Sequence, residues 1–259
     1  MKNKHLFGGI LATIGALMGI IGHIYLFLNW YQVGMAAESA EPGCEILLKY
    51  IHPALTDLGI LGGVVFAVSA YGFFTRKNWA FALSVFAIIM ALLGSWFINV
   101  PYMAASLPPV YFPLFWPYLL IYFLMMRSVG EVTWSRTLLG LLAGLAYITT
   151  FMNGVSSTSR IITNGAPIFV LVQRLHWVAM LGWAVVTAGL LLKPKGWMRV
   201  LGLTSGLLEL TVGIPLAYVT ALQLGRFSLF ALAPIICLIA MVIFLWPGLW
   251  QRWTGVEAD

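Results

Sequence analysis

Eight apolar runs, each close to the length of a bilayer-crossing helix, follow one another along this chain with few charges inside them. A spanning helix needs roughly 20 mostly apolar residues. The runs cover approximately 6–29, 47–74, 79–100, 110–127, 135–155, 167–192, 198–222 and 228–248. Of 259 residues, 61% are hydrophobic and only 8% charged, against about 25% charged in a typical soluble domain. Such a chain cannot build an ordinary water-facing surface, so its solvent is lipid. The expected fold is all-α: a polytopic membrane protein with about eight transmembrane helices. The fourth run is the weakest, being short and holding Pro113 and Pro117. The first resembles a signal peptide, with Lys2 and Lys4 ahead of it and Ala36 and Ala37 behind. Its apolar stretch is about twice a signal core of roughly 7–15 residues, so it reads as a retained spanning helix.

The basic residues set the expected orientation. With the N-terminus in the cytoplasm, Lys2, Lys4, Arg76, Lys77, Arg127, Arg136, Lys193, Lys195, Arg199 and Arg252 all fall on the cytoplasmic side, ten of the fourteen Lys and Arg. Lys49, Arg160 and Arg226 fall outside, with Arg174 just within a helix. This bias predicts an integral protein of the cytoplasmic (inner) membrane with both termini inside. Trp79, Trp134, Trp197, Trp246, Trp250 and Trp253 fit an aromatic belt at the cytoplasmic boundary, and Trp30, Tyr31, Tyr102 and Tyr111 a belt at the other. The net charge of +6 is thereby explained by topology and calls for no nucleic acid. Cys44 in the first outer loop and Cys237 in the last helix differ too much in depth to bridge easily, and no His/Cys cluster suggests a metal.

An internal repeat is the expected organisation. RKNWAFALSVFAIIMALLGSWFINVPY, from Arg76, parallels KPKGWMRVLGLTSGLLELTVGIPLAY, from Lys193: a basic turn, a tryptophan, a small-residue helix, then proline closely followed by tyrosine. LGGVVFAVSAYG at 61–72 parallels LGWAVVTAGLLL at 181–192. Helices 1–4 (residues 1–128) and 5–8 (residues 129–259) then form two four-helix bundles within one membrane domain. Four is even, so the copies enter from the same side as parallel repeats. The connection MRSVGEVTWSR, 126–136, is polar and cytoplasmic. The longest loops are about 17 residues (30–46, acidic through Glu38, Glu41 and Glu45) and about 11 (156–166), too short for a soluble catalytic domain.

Charges within spans mark candidates, because one at the bilayer centre costs on the order of 2.5–3.5 kcal/mol. Glu209 is the deepest. Gly202, Ser205, Gly206 and Gly213 lie on or near its face, a small-residue stripe suited to close helix packing, so Glu209 is expected to face protein. Its counterpart in the repeat is Ser95. A plainer role is to bond a backbone group freed by Pro215. Asp57 approaches mid-depth in helix 2, and helix 6 carries Gln173, Arg174 and His176 at matching depth, His176 aligning with Thr56. His23, His52, Asn99 and Asn153 lie in the outer half. His23 and His52 are expected as interfacial histidines with water access. Asp57 with Arg174 also reads as a structural ion pair. Turned inward, these groups would line a polar cavity open to the outer side. Pro101 and Pro215 would be hinges or gates.

The first expected function is small-molecule or ion binding and transport, with Glu209, Asp57, His176 and Arg174 as ligand or proton-coupling groups. The alternatives are a quinone- or haem-linked subunit of a redox complex, and a structural subunit without its own activity. Partners are the bilayer, other membrane subunits or further copies of the chain. No cofactor is required by the residues. HExxH, GxSxG and paired-carboxylate motifs are all missing, so nothing marks an enzyme.

Overall fold

A computed structural model describes residues 2–38, 44–163, 165, 167–225 and 227–257; Glu41 and Arg226, and the side chains of Glu38, Cys44 and Glu45, lie outside what it describes. The described elements are helices, with no strand among them. Seven are long and apolar enough to cross a membrane: Asn3–Ala37, Leu48–Phe74, Ala80–Met103, Phe112–Val129, Trp134–Ile162, Pro167–Leu192 and Trp197–Leu222. An eighth span exists if the bent pair Leu229–Leu245 and Pro247–Thr254 is counted as one; its halves meet at 94°. The contacts divide the chain into two compact units, Met1–Val132 and Thr133–Asp259.

In the first unit, α1 (Lys2–Leu17) passes through a wider π turn, Met18–Gly22, into α2 (His23–Glu38). α3 (Cys44–Phe74) is the unit's centre and packs on α1, α2 and α4 (Ala80–Trp96). A break at Phe97–Ile98 leads to the short α5 (Asn99–Ala104), and α6 (Phe112–Leu124), packed on α4, closes with a second π turn at Met125–Val129. Glycine sets the helix spacing here. A Cβ on Gly19 would fall 2.4 Å from the Gly63 Cα, and one on Gly94 would fall 2.8 Å from the Leu55 carbonyl oxygen. Lipid offers no hydrophobic drive between helices, so close backbone approach supplies the packing energy.

In the second unit, α7 (Trp134–Thr163) packs on α8 (Pro167–Leu192) and on α10 (Leu232–Leu245), while α9 (Trp197–Leu224) packs on α8 and α10. The four close around a core that includes Ala143, Trp183, Val186, Leu190 and Phe244. Along α9, Gly202 meets the Phe244 ring, Gly206 meets Met241 and Gly213 meets Pro234. The stripe read from the sequence is therefore the face that α9 turns to α10. Two boundary arginines act as caps as well as topology signals. Arg136 donates to the carbonyls of Leu190 and Leu191 at the end of α8, and Arg199 to those of Phe244 and Leu245 at the end of α10. Last-turn carbonyls lack helical partners, and a cation suits that end of the dipole.

Three boundaries differ from the sequence reading. The first helix runs to Glu38 and α7 to Thr163, so much of the expected loops 30–46 and 156–166 is helix. Hydropathy fades there, but residues such as Met35, Ala36 and Ala37 sustain helix once it leaves hydrocarbon. The last span ends at Leu245 rather than 248, because Pro247 has no N–H to continue it and instead opens α11 (Pro247–Thr254). Trp250 in α11 is fully buried against Phe244 instead of joining a belt, whereas Trp79, Trp134, Trp197 and Trp246 are exposed.

These spacings make a paired test. Gly63→Leu should lower the apparent thermal midpoint of the detergent-solubilised protein strongly, by an overpacking cost of about 1–3 kcal/mol or more. Gly144→Ala, whose Cβ would meet only the Thr187 methyl at 3.7 Å, should leave the midpoint unchanged or raised. Equal behaviour of the two variants would refute glycine-set packing.

Candidate functional site

Glu209 sits midway along α9 and is 0% exposed. Its carboxylate is shared between two other helices. Oε1 accepts from Asn153 Nδ2 of α7 at 2.8 Å, and Oε2 lies 2.8 Å from His176 Nδ1 of α8. Asn153 Nδ2 also donates to the Phe230 carbonyl, 3.1 Å away, at the turn that opens α10. The carboxylate thus joins α9 to α7 and α8, and Asn153 extends the network to the turn before α10. Gly213, one turn on from Glu209, leaves room for it: a Cβ there would fall 2.6 Å from Oε1. Asn153 and His176 are also 0% exposed.

The proton between Glu209 and His176 has two descriptions. Either an Nδ1–H donates to a carboxylate, or a carboxylic acid donates to a neutral imidazole. Both keep the hydrogen bond, so the shared proton can sit on either residue without loss of the geometry. Two atoms of the cluster stay unsatisfied: His176 Nε2 and Asn153 Oδ1 are buried without a hydrogen-bond partner. Buried polar atoms normally find partners, and each exception calls for an explanation. Here they offer one acceptor and one group that accepts or donates. Nearby, Cys237 of α10 is a buried free thiol, its Sγ 3.9 Å from Thr150 Oγ1. Beside the cluster, an apolar groove of about 370 Å³ runs between α9 and the start of α10, lined by Leu210, Ile214, Tyr218, Phe227 and Pro234 among others. Pro234, which lines this groove, and Glu209 Oε1 are both what a Cβ on Gly213 would meet.

Pro215 does not use Glu209 as a backbone partner, since both carboxylate oxygens are engaged elsewhere. Pro215 lies inside an uninterrupted α9, whereas Pro101 lies in the first turn of α5 just after a break, where a proline is tolerated. The two prolines therefore have different local settings.

A second buried polar cluster lies in the first unit. His52 Nε2 is 3.1 Å from the Tyr111 hydroxyl, which is also 3.4 Å from Thr56 Oγ1. His52 Nδ1 is 3.5 Å from the Tyr102 hydroxyl, which donates to the Trp30 carbonyl at 2.6 Å. Asn99 Oδ1 accepts the Tyr111 N–H at 2.8 Å, and its amide donates to the Ser95 carbonyl. His23 directly follows the π turn, with its ring between Tyr111 and Tyr118 at 5.8 and 6.2 Å. Among the described residues neither of its ring nitrogens has a hydrogen-bond partner, and the backbone of Met18 and Gly19 in its own helix stands close. A Cβ on Gly59 would lie 2.1 Å from His23 Nε2, so Gly59 makes space for the ring. His23 and His52 are therefore fully buried, not interfacial with water access. Tyr102 and Tyr111 are likewise core residues rather than belt residues.

Asp57 and Arg174 lie elsewhere. Asp57 is on an exposed face of α3 that continues through Leu61, Val64, Val68 and Tyr71. Arg174 is on an exposed face of α8 with Leu171, Val178, Leu181 and Val185. Neither joins a buried cluster. Gln173 donates to Thr158 Oγ1 at 3.1 Å. Among the described residues no group of three or more His, Cys, Asp or Glu side chains could hold a metal ion. Sequence reasoning placed Tyr102 and Tyr111 in a belt, marked Gly213 as part of a packing stripe, and overlooked Tyr118 and Gly59, which seat His23. Boundary tyrosines carry no sign distinguishing belt from core, but a glycine one turn from an intramembrane charge is a usable signal.

Comparison of the chain with known protein families, with curated proteins and with solved structures finds no match.

The cluster makes a stability prediction. Glu209→Leu leaves His176 Nδ1 without its partner and Asn153 Nδ2 with the Phe230 carbonyl alone, and should destabilise the protein by about 1–3 kcal/mol. Glu209→Gln keeps one acceptor oxygen and should cost clearly less. Thermal unfolding of the two variants in detergent checks the order.

Proposed function

We propose that this chain is a multi-pass protein of the cytoplasmic membrane, with both termini inside, that binds and transports a small molecule or ion. In this reading the Glu209–His176 pair carries the coupled proton or cation. The observation that carries it is the buried Glu209–His176–Asn153 cluster with unpartnered His176 Nε2 and Asn153 Oδ1. An ionisable pair inside a span is expensive and is retained mainly for ion pathways, proton relays or ligand contacts. A pair that keeps its hydrogen bond with the shared proton on either residue can take up or release a proton at the free Nε2 without unpacking the helices around it. The free Nε2 and Oδ1 are where a solute or water would complete the site. Access from the outer side is part of the proposal, as is a 4+4 parallel repeat. In that repeat the positions aligned with Glu209 and His176 are Ser95 and Thr56. Ser95 bonds only to its own helix, and Thr56 joins the Tyr111 network. The chemistry would then belong to the second copy, while the first keeps a satisfied scaffold.

A second reading has one specific observation behind it. The apolar groove, about 370 Å³ in volume, beside a carboxylate–imidazole pair suits a lipid-soluble quinone, whose reduction consumes protons.

Reconstitution tests both. In liposomes loaded with a pH-sensitive dye, a transported solute should drive an internal pH change in the wild type, and Glu209→Gln should abolish it. His176→Gln should slow it severely. Solute uptake that survives unchanged in Glu209→Gln would overturn the coupling role. Saturable binding of a short-chain quinone to the purified protein, lost in Glu209→Gln, would favour the second reading.

A further inference from the structure

The first unit holds a second cavity, of different character from the apolar groove. It has a volume of about 390 Å³ and is lined by Lys4, His5, Phe73, Lys77, Asn78, Phe81, Val129 and Glu131. Three chain segments build it: the first turn of α1, the turn between α3 and α4, and the turn after α6. Its depth is fixed by the spans themselves. One span starts at Asn3, one ends at Phe74, one starts at Ala80 and one ends at Val129. The cavity therefore sits at the level where hydrocarbon gives way to headgroups, on the face that the basic residues mark as cytoplasmic.

Its chemistry is divided by depth. Phe73, Phe81 and Val129 form an apolar wall, with Phe81 pressed against Gly130 so closely that a Cβ there would meet its ring at 2.2 Å. At the rim stand two ammonium groups, an imidazole and an amide. The His5 ring leans on Phe73, centroids 6.4 Å apart, and its buried Nδ1 has no partner. Glu131 pairs with Lys4, whose hydrogen bond and charge hold the carboxyl below its usual range. That pair is neutral overall, and Lys77 supplies the remaining positive charge. The backbone gives an independent sign. Three described non-glycine residues have positive φ, and two of them flank this cavity: Arg76 at 57° and Glu131 at 52°. Side-chain-bearing residues avoid this conformation, and where it persists it gathers at functional sites. Here it turns the two short connections so that Lys77 and Glu131 face one another's side of the same hollow.

We propose that this cavity binds the phosphate of a phospholipid headgroup, with Lys77, Lys4, His5 and Asn78 as the polar contacts and the phenylalanine wall against the upper acyl chain or glycerol backbone. Basic pockets between helices on the cytoplasmic side are suited to such groups. Glu131 adds an acceptor for a headgroup hydroxyl, which favours phosphatidylglycerol over phosphatidylcholine.

The test uses the full chain in detergent, titrated with short-chain phosphatidylglycerol and read by native mass spectrometry. Lys77→Gln and His5→Ala should each weaken binding, the charge removal by about fivefold. Lys193→Gln removes a charge expected on the same side but outside the cavity, and should change binding by less than about twofold. Thermal midpoints equal to wild type would establish that the cavity variants remain folded. Equal weakening by Lys77→Gln and Lys193→Gln would reduce the effect to general basic attraction and overturn the site. Diacylglycerol binding as tightly as phosphatidylglycerol would remove the phosphate from the proposal. Inorganic phosphate that displaces the lipid at equal concentration would assign the site to a soluble phosphate and overturn the lipid.

Discussion

Hydrogen-bond satisfaction without water is the constraint from which the rest of this molecule follows. In hydrocarbon an unpaired backbone group costs several kcal/mol. The described chain answers with helices throughout, and with boundary arginines that cap their neighbours' last turns. Once backbones are self-satisfied, what remains to hold helices together is contact, and glycine lets that contact become intimate at Gly19–Gly63 and along α9. Most polar side chains then enter the interior as bonded sets, His23 with its two unpartnered ring nitrogens being an exception in the first unit. The first unit's set, around His52, Tyr111 and Asn99, is nearly complete. The second unit's set, around Glu209, is complete except for two atoms. That difference is what gives Glu209 its functional interest, more than its charge alone.

Much of this was legible beforehand, for reasons tied to particular residues. The spans were readable because lipid imposes a length and a composition on each. Glu209 facing protein was readable because Gly202, Gly206 and Gly213 mark a packing face by their spacing alone. His176 and Asn153 were candidates by depth, but their convergence on one carboxylate depends on helix rotation, which depth does not contain. Asp57 shows the opposite case. Its stripe-mates Leu61, Val64, Val68 and Tyr71 are large and apolar, and that face is exposed. A charge amid bulky residues and a charge amid small ones ask for different surroundings. Tyr102 and Tyr111 were read as belt residues because a tyrosine near a span's end looks the same in either role. Their burial depends on how the turn at Phe97–Ile98 and the short α5 set the end of that span, which no local pattern announces.

The two units handle histidine differently. His52 bonds to tyrosines, which are neutral partners, and is walled by Phe27 and Tyr31. His176 bonds to a carboxylate and keeps its other nitrogen free. The first arrangement fixes a ring; the second sets one up to exchange something. Residue type does not separate the two histidines; the distinction lies in the neighbours that folding supplies.

The π turn at Met18–Gly22 has a further consequence for how this chain tolerates change. A π turn holds one residue more than the α-helix around it, and each α-helical residue turns the helix by about 100°. The first span is thus two helical phases joined in one rod. α1 presents Gly8 and Gly15 to the rings of Phe73 and Phe66, and the residues after the turn present His23 to Gly59. Loss of a single residue within Met18–Gly22 would close the π turn into α-helix and leave both faces where they are, whereas the same loss within α1 or α2 would rotate one face against the other by about 100°. The middle of the first helix is therefore the place where this span can absorb the gain or loss of one residue, and its α-helical stretches are where register is strictly held.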